Sequence, residues 1–261
     1  MPRIRSMKIA IAATAAVAAL GLAACGGGET TTTVTAPAGE TSAGSSLPQG
    51  SEPANLDPAD FTTEIDNPYW PMSVGSRWMY NELEGGESLD IVVTVTDRTK
   101  RIANGVEARV VRDVVSKNGE PIEVTDDYYA QDADGNIWYL GEATAEYENG
   151  EISTRAGSFE AGVDGAEAGV AVPANPRPGM EYRQEYYKGE AEDQGAVLST
   201  SEQVQVPFGH FDGALMTRDT NPLEPRIEEL KLYARGVGPV LALGISGGAS
   251  REELVRYEPG S

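Results

Sequence analysis

The 261-residue chain carries 20 Lys and Arg against 41 Asp and Glu, a formal net charge of −21, with one Cys and one His. That balance excludes a nucleic-acid binder, which needs a basic footprint for phosphates, and attachment to anionic lipid through a basic patch. It leaves room for a cationic partner or a bound divalent cation, and it speaks to solubility and association rather than to fold.

Arg3, Arg5 and Lys8 precede an uncharged apolar stretch over residues 9–22. This is the layout of a secretory signal, and it falls short of the roughly 20 apolar residues that a membrane span needs. Leu22-Ala23-Ala24-Cys25 resembles the lipobox of bacterial lipoproteins. The resemblance implies that a signal peptide, residues 1–24, is removed and that Cys25 becomes the first residue. Cys25 then takes its lipid, palmitate included, through its sulfur. The mature protein is expected on the extracytoplasmic face of the cell membrane, with the membrane as a partner through Cys25. Two or more acyl chains hold such a protein stably, where one gives only marginal binding. Three of the 20 basic residues leave with the signal and no acid does, so 17 remain against 41 acids. Cys25 is the single cysteine, so no disulfide forms within the domain.

Residues 25–59 are rich in Gly, Ser, Thr, Ala and Pro and show no apolar periodicity. They read as a disordered tether, because such a segment cannot bury enough surface to offset its ordering entropy. The folded domain is expected over 60–261.

Strands are predicted in chain order over 78–80, 89–95, 106–115, 128–130, 137–140, 145–147, 180–187, 196–206, 214–218, 227–234, 237–243 and 252–257. The signal is period-2 alternation and β-branched or aromatic residues. Glu84-Gly85-Gly86, Asn104-Gly105, Asn118-Gly119 and Asn149-Gly150 supply turn chemistry between them. Residues 160–178, rich in Gly, Ala and Pro, read as a structured loop. The fold class is all-β and mainly antiparallel, a single domain built as a curved sheet, open barrel or sandwich.

Several stretches carry a second resemblance. They are Asn67-Pro68-Tyr69-Trp70-Pro71, Tyr129-Ala130-Gln131-Asp132, Gly135-Asn136-Ile137-Trp138-Tyr139, Gly141-Glu142, Gly157-Ser158-Phe159-Glu160, Tyr182-Arg183-Gln184-Glu185-Tyr186, Gly189-Glu190-Ala191-Glu192-Asp193 and Tyr233-Ala234-Arg235-Gly236-Val237-Gly238. Together they resemble a group of exported bacterial proteins with no assigned activity. The resemblance implies a secreted β-rich domain and carries over no catalytic residue.

No catalytic constellation stands out. His210 lies in a turn-like Gly209-His210-Phe211, no Gly-x-Ser-x-Gly is present, and zinc lacks its usual ligands. No cofactor is expected, with calcium the open alternative. Its candidate ligands are Asp132, Asp134 and Asn136 in one hairpin and Glu190, Glu192 and Asp193 in a second acidic group. The competing reading of the first is an ordinary Asp/Asn turn. Glu190, Glu192 and Asp193, with Glu160 and Asp164, also raise paired-carboxylate chemistry. Trp70, Trp138 and Tyr139 are the aromatic candidates for binding a ligand, against a plain core role. The sequence therefore favours a lipid-anchored, non-enzymatic envelope protein that binds a ligand or another envelope component, or serves assembly. The alternative is an extracytoplasmic carboxylate-dependent or calcium-assisted hydrolase.

Overall fold

The computed structural model describes residues 47–261; the signal peptide, Cys25 and the tether up to residue 46 lie outside the described residues. After a 3-10 turn at Pro58–Asp60 the chain is built of β1 (Phe61–Thr62), β2 (Arg77–Glu84), β3 (Glu87–Arg101), β4 (Glu107–Lys117), β5 (Glu120–Asp132) and β6 (Ile137–Glu148). It continues with β7 (Glu151–Thr154), β8 (Phe159–Glu160), β9 (Glu167–Val172), β10 (Glu181–Arg183), β11 (Glu185–Tyr186) and β12 (Gln194–Val206). β13 (Gly209–Thr220), β14 (Glu228–Ala234), β15 (Gly238–Ser246) and β16 (Ser250–Glu258) complete it. Two Asn-Gly pairs make tight hairpins as expected: Asn118-Gly119 joins β4 to β5 and Asn149-Gly150 joins β6 to β7, with all four residues at positive φ.

The strands form one antiparallel sheet in the order β10-β12-β13-β14-β15-β16-β2-β3-β4-β5-β6-β9-β11. Its two edges, β10 and β11, are consecutive in the chain, with only Gln184 between them. One short segment thus pairs with β12 on one side and with β9 on the other, and curls the sheet into a nearly closed barrel. Among the three architectures open to the sequence, the structure is the barrel.

Arg183 staples that seam. Its Nε and Nη2 donate to the Ala168 carbonyl of β9 at 3.1 and 2.6 Å. Its Nη1 donates to the carbonyls of Gly50 and Glu52 at 2.9 and 2.6 Å, and its backbone N–H to Pro48 O. The seam is tight: a Cβ on Gly169 would stand 2.3 Å from the carbonyl carbon of Gln184, so only glycine fits there.

Two differences from the sequence reading follow. The expected tether does not run to residue 59. Residues 47–56 are a strap on the barrel, because their carbonyls are acceptors for a buried guanidinium and Ala54 N–H donates to Glu167. The expected loop over 160–178 contains β9, which pairs with β6 and β11. Its Ala and Gly content reflects crowding on both faces at the seam, where residues 168–172 are all buried.

The larger core fills the barrel from inside, with Tyr69, Trp78, Ile91, Tyr139, Val170, Leu215 and Leu254 among its buried members. A second core lies on the outer face of β4–β6, where Val110, Tyr128, Ala130 and Leu140 pack under Ile102, Val106 and Ala161. Strands β4–β6 are therefore apolar on both faces over part of their length, which blurs their alternation.

Candidate functional site

The inward face of two facing walls is polar. On β5, successive inward positions are Glu123, Thr125, Asp127 and Tyr129; on β14 they are Glu229, Lys231 and Tyr233. Period-2 geometry sends each set to a single face.

Tyr139 of β6 stands between two buried carboxyls. Its hydroxyl oxygen lies 2.8 Å from Asp127 Oδ1 and 2.9 Å from Glu142 Oε2. A phenol has one hydrogen to donate. The second contact therefore needs a proton on one of the carboxyls, which then donates to the phenol oxygen. Burial pushes both acids well above the usual carboxylate range, and the negative charges of Asp113 at Asp127, and of Asp127 and Glu185 at Glu142, add to it.

Around Lys231 the interior is an ion-pair network. Lys231 Nζ lies 2.8 Å from Asp219 Oδ2 and 3.4 Å from Glu229 Oε2. Burial alone would lower the Lys231 pKa, but Asp219 and Glu229 override it and hold it well above its ordinary value. Thr217 and Gln184 donate to Asp219 as well, at 3.1 and 3.3 Å. Asp193 accepts from Asn221 Nδ2 at 2.7 Å, and burial raises it to about 8. Glu185 is 1% exposed and neither of its carboxyl oxygens has a hydrogen-bond partner. Burial, with Asp193 and Asp127 close by, pushes it well up.

Between these walls lies a cavity of about 120 Å³, far above the ~10–15 Å³ that holds one water. Its aromatic lining is Trp70, Tyr80, Tyr129 and Tyr233; its acids are Asp113, Glu123, Asp127, Glu229 and Glu252. Trp70 meets Tyr129 edge-on at 5.3 Å and Tyr233 at 6.4 Å, so three rings form one corner. The Trp70 indole nitrogen has no hydrogen-bond partner.

Trp70 is positioned by segments that stand far apart in the chain. Pro68 O accepts from Gly236 N–H, and Arg235 stacks over the Tyr69 ring at 4.2 Å while donating to its hydroxyl. Trp78 Nε1 donates to Val237 O at 2.7 Å. Asn67 donates through its backbone N–H to Gln131 Oε1 and through its side-chain amide to Gly135 O. The Asn67–Trp70, Gln131–Asn136 and Tyr233–Gly238 motifs thus converge on one end of the barrel.

The sequence-predicted residues divide. Trp70 lines the cavity, and Tyr139 stands behind it on Asp127. Trp138 lies elsewhere, half-buried against Phe61 with its Nε1 on Asp132. Asp132 is used within its own hairpin: Oδ1 accepts from Asn136 N, and Oδ2 from Asn136 Nδ2 and Trp138 Nε1. Asn136 Oδ1 accepts from Ala174 N, and Asp134 is exposed at the tip. Glu192 accepts from Gly189 N–H in a turn with Glu190, whereas Asp193 points into the barrel. Glu160 pairs with Lys100 on the outside, Asp164 is exposed and Asp193 is buried on Asn221, so the five acids raised for paired chemistry are not brought together. Among the described residues no group of three or more His, Cys, Asp or Glu is arranged to hold a metal ion.

No protein-family model and no curated protein matches the chain. Three of the solved structures that resemble it in outline are these. One is a protein from Bacteroides fragilis described as exported, with a YmcC-like fold: 16% identity, TM-score 0.43, covering 73% of this chain and 98% of that one. A second is described as a lipoprotein, from Parabacteroides distasonis, at 12% identity and TM-score 0.40, covering 73% and 98%. The third is a β-barrel-like protein of the domain of unknown function DUF1849 from Brucella abortus, at 13% identity and TM-score 0.35, covering 71% and 98%. TM-scores this low do not establish a shared fold.

The sequence reading passed over Asp127, Glu142, Glu185, Asp219, Glu229 and Lys231. The signal for Asp127, Glu229 and Lys231 is a period-2 row of polar residues, Glu123-x-Thr125-x-Asp127-x-Tyr129 and Glu229-x-Lys231-x-Tyr233. It resembles the solvent face of an ordinary strand, and only closure of the barrel turns it inward.

Proposed function

We propose that the protein is a lipid-anchored, extracytoplasmic binding module that takes a small ligand inside its barrel and is not an enzyme. The cavity between β5 and β14, with its corner of three rings and its carboxyl walls, is the observation that carries the reading. Concave sites with aromatic walls and a few placed polar groups are where small ligands bind. The anchor rests on the basic start, the apolar stretch and the lipobox-like Leu22–Cys25. The hydrolase reading loses support because the carboxyls proposed for it are dispersed, Glu160 and Asp164 on the outside and Asp193 inside the barrel. Asp127 and Glu142 do stand together, but only Asp127 reaches the cavity.

The test is thermal unfolding of the full chain in detergent with tetramethylammonium chloride, glucose or octanoate, for wild type and for Ala242→Phe. Ala242 lines the cavity from β15, in register with Lys231 and Glu252. A ligand bound only by the folded state raises Tm. At least one probe is expected to raise it in the wild type and not in the cavity-filled variant. No shift with any probe overturns the reading. Palmitate labelling, present in the wild type and lost in Cys25→Ser, tests the anchor separately.

A further inference from the structure

We propose that Lys231 and Asp219 condense inside the folded barrel into an amide, a covalent cross-link between β13 and β14, with Glu229 moving the protons. The cross-link is independent of what the cavity binds.

Adjacent strands set the pair. In the β13–β14 register Thr217 is opposite Lys231 and Asp219 is opposite Glu229. The four side chains stand two residues apart on each strand, so they share the inward face. Lys231 Nζ reaches diagonally to Asp219 Oδ2 at 2.8 Å, and Glu229 Oε2 lies 3.4 Å from the same nitrogen. The Asp219 side chain is fully buried, with Glu229 and Lys231 at 2% and 15% exposure. Cγ is one bond beyond Oδ2, so a small turn of the Asp219 carboxyl brings it to the roughly 3–3.5 Å at which attack begins. Lys100 and Lys117 also meet carboxyls, at 2.8 and 2.6 Å, but out in solvent, where water keeps both partners ionised.

The step needs no reagent beyond these side chains. An ammonium proton passes from Nζ to Oδ2 and leaves a free amine beside a carboxylic acid. The Nζ lone pair attacks Cγ, and negative charge builds on Oδ1, to which the Thr217 hydroxyl already donates at 3.1 Å. Glu229 takes one proton from the new nitrogen centre and hands it to Oδ2. The Cγ–Oδ2 bond breaks, the oxygen leaves as water, and Oδ1 returns to a carbonyl. One C–N bond forms, one C–O bond breaks, and nothing is oxidised or reduced. Lys231 lines the cavity, which gives the water a way out. Asp219 and Glu229 hold Lys231 as its ammonium, so the free amine is scarce at any moment. That scarcity slows the step without stopping it. The bond has to form only once in the life of the chain, and well-placed partners react at effective molarities up to about 10⁸ M. The product also replaces a buried ion pair, with its desolvation cost, by a neutral amide.

The experiment is mass spectrometry of the full chain, kept folded in detergent for a day, then denatured and digested with trypsin and a glutamyl endopeptidase together. These cut out the intervening segment, after Glu224, Arg226, Glu228 and Glu229. Residues 219–224 are expected joined to 230–235, lighter by one water than the two peptides together. Lys231→Arg, which keeps the charge without a reactive amine, is expected to give none of the joined species. Glu229→Gln is expected to lower the joined fraction at least tenfold, with 229–235 in place of 230–235 because one cut is lost. An unchanged fraction overturns the role given to Glu229. Wild-type chain that yields 219–224 and 230–231 only as free peptides overturns the cross-link, whether or not either variant folds.

Discussion

Asp127 and Glu142 share a single phenol. Both carboxyls lie within 2.9 Å of the Tyr139 hydroxyl, one through Oδ1 and the other through Oε2. One proton on the pair is what lets that arrangement exist inside a barrel, and the same logic extends to Glu185 and Asp193.

Stability is therefore expected to fall as pH rises. Asp127, Glu142, Glu185 and Asp193 all have folded pKa values raised above the unfolded value, which lies near ~4. Each holds its proton more tightly when folded. Its contribution is complete below the unfolded value and is lost as pH climbs through the folded one, about 8 for Asp193. Asp126 works the other way. Burial raises it, but hydrogen bonds from Arg112 and Arg98 outweigh this and lower it, so its contribution fades on acidification. The urea midpoint should decline steadily from pH 5 to pH 9; a rise over that interval contradicts the protonated interior.

Glu185→Gln should stabilise the protein at high pH. Neither Glu185 oxygen has a partner, and an unsatisfied buried polar group costs about 1–3 kcal/mol, more when charged. The variant is expected to gain at least ~1 kcal/mol at pH 9 by denaturant unfolding, with little change at pH 5. A loss at pH 9 would mean that the carboxylate has a role its surroundings do not reveal.

The seam offers a separate test. Arg183→Met strands the carbonyls of Ala168, Gly50 and Glu52, and should cost on the order of 3 kcal/mol or more. Lysine should recover only part, since it lacks the planar fork. Hydrogen exchange should quicken first over residues 47–56 and β9. Gly169→Ala should act at the same place through its clash with Gln184. Uniform exchange across all strands would contradict a local staple.

Much of the fold is written in local chemistry. Asn118-Gly119 and Asn149-Gly150 mark their hairpins, and the apolar alternation of Ile91, Val93 and Val95 marks β3. Closure is not local. Glu181–Tyr186 reads as part of one strand, and nothing in its own pattern says that it changes partner at Gln184. The site depends on that closure. Trp70 was legible as an aromatic beside Pro68 and Tyr69, whereas Asp127 and Glu229 have neighbours typical of an exposed strand. Their burial is a property of the barrel, not of the segment.

Calcium is expected to leave Tm unchanged. Both Asp132 oxygens are engaged by Asn136 and Trp138, and Glu190, Glu192 and Asp193 do not share a face. Millimolar calcium followed by EDTA checks this in a thermal scan. A reversible rise would return the Asp132–Asn136 hairpin to consideration as a metal site.

The most direct test of an open, acidic interior is fluorescence quenching of Trp70 by ions of opposite charge. The Trp70 contribution is the difference between wild type and Trp70→Phe, since Trp78 is fully buried and Trp138 lies on another surface. Caesium should quench that component more strongly than iodide, because the carboxyls around the cavity concentrate cations and repel anions. Equal quenching by both ions, or preference for iodide, would contradict the account.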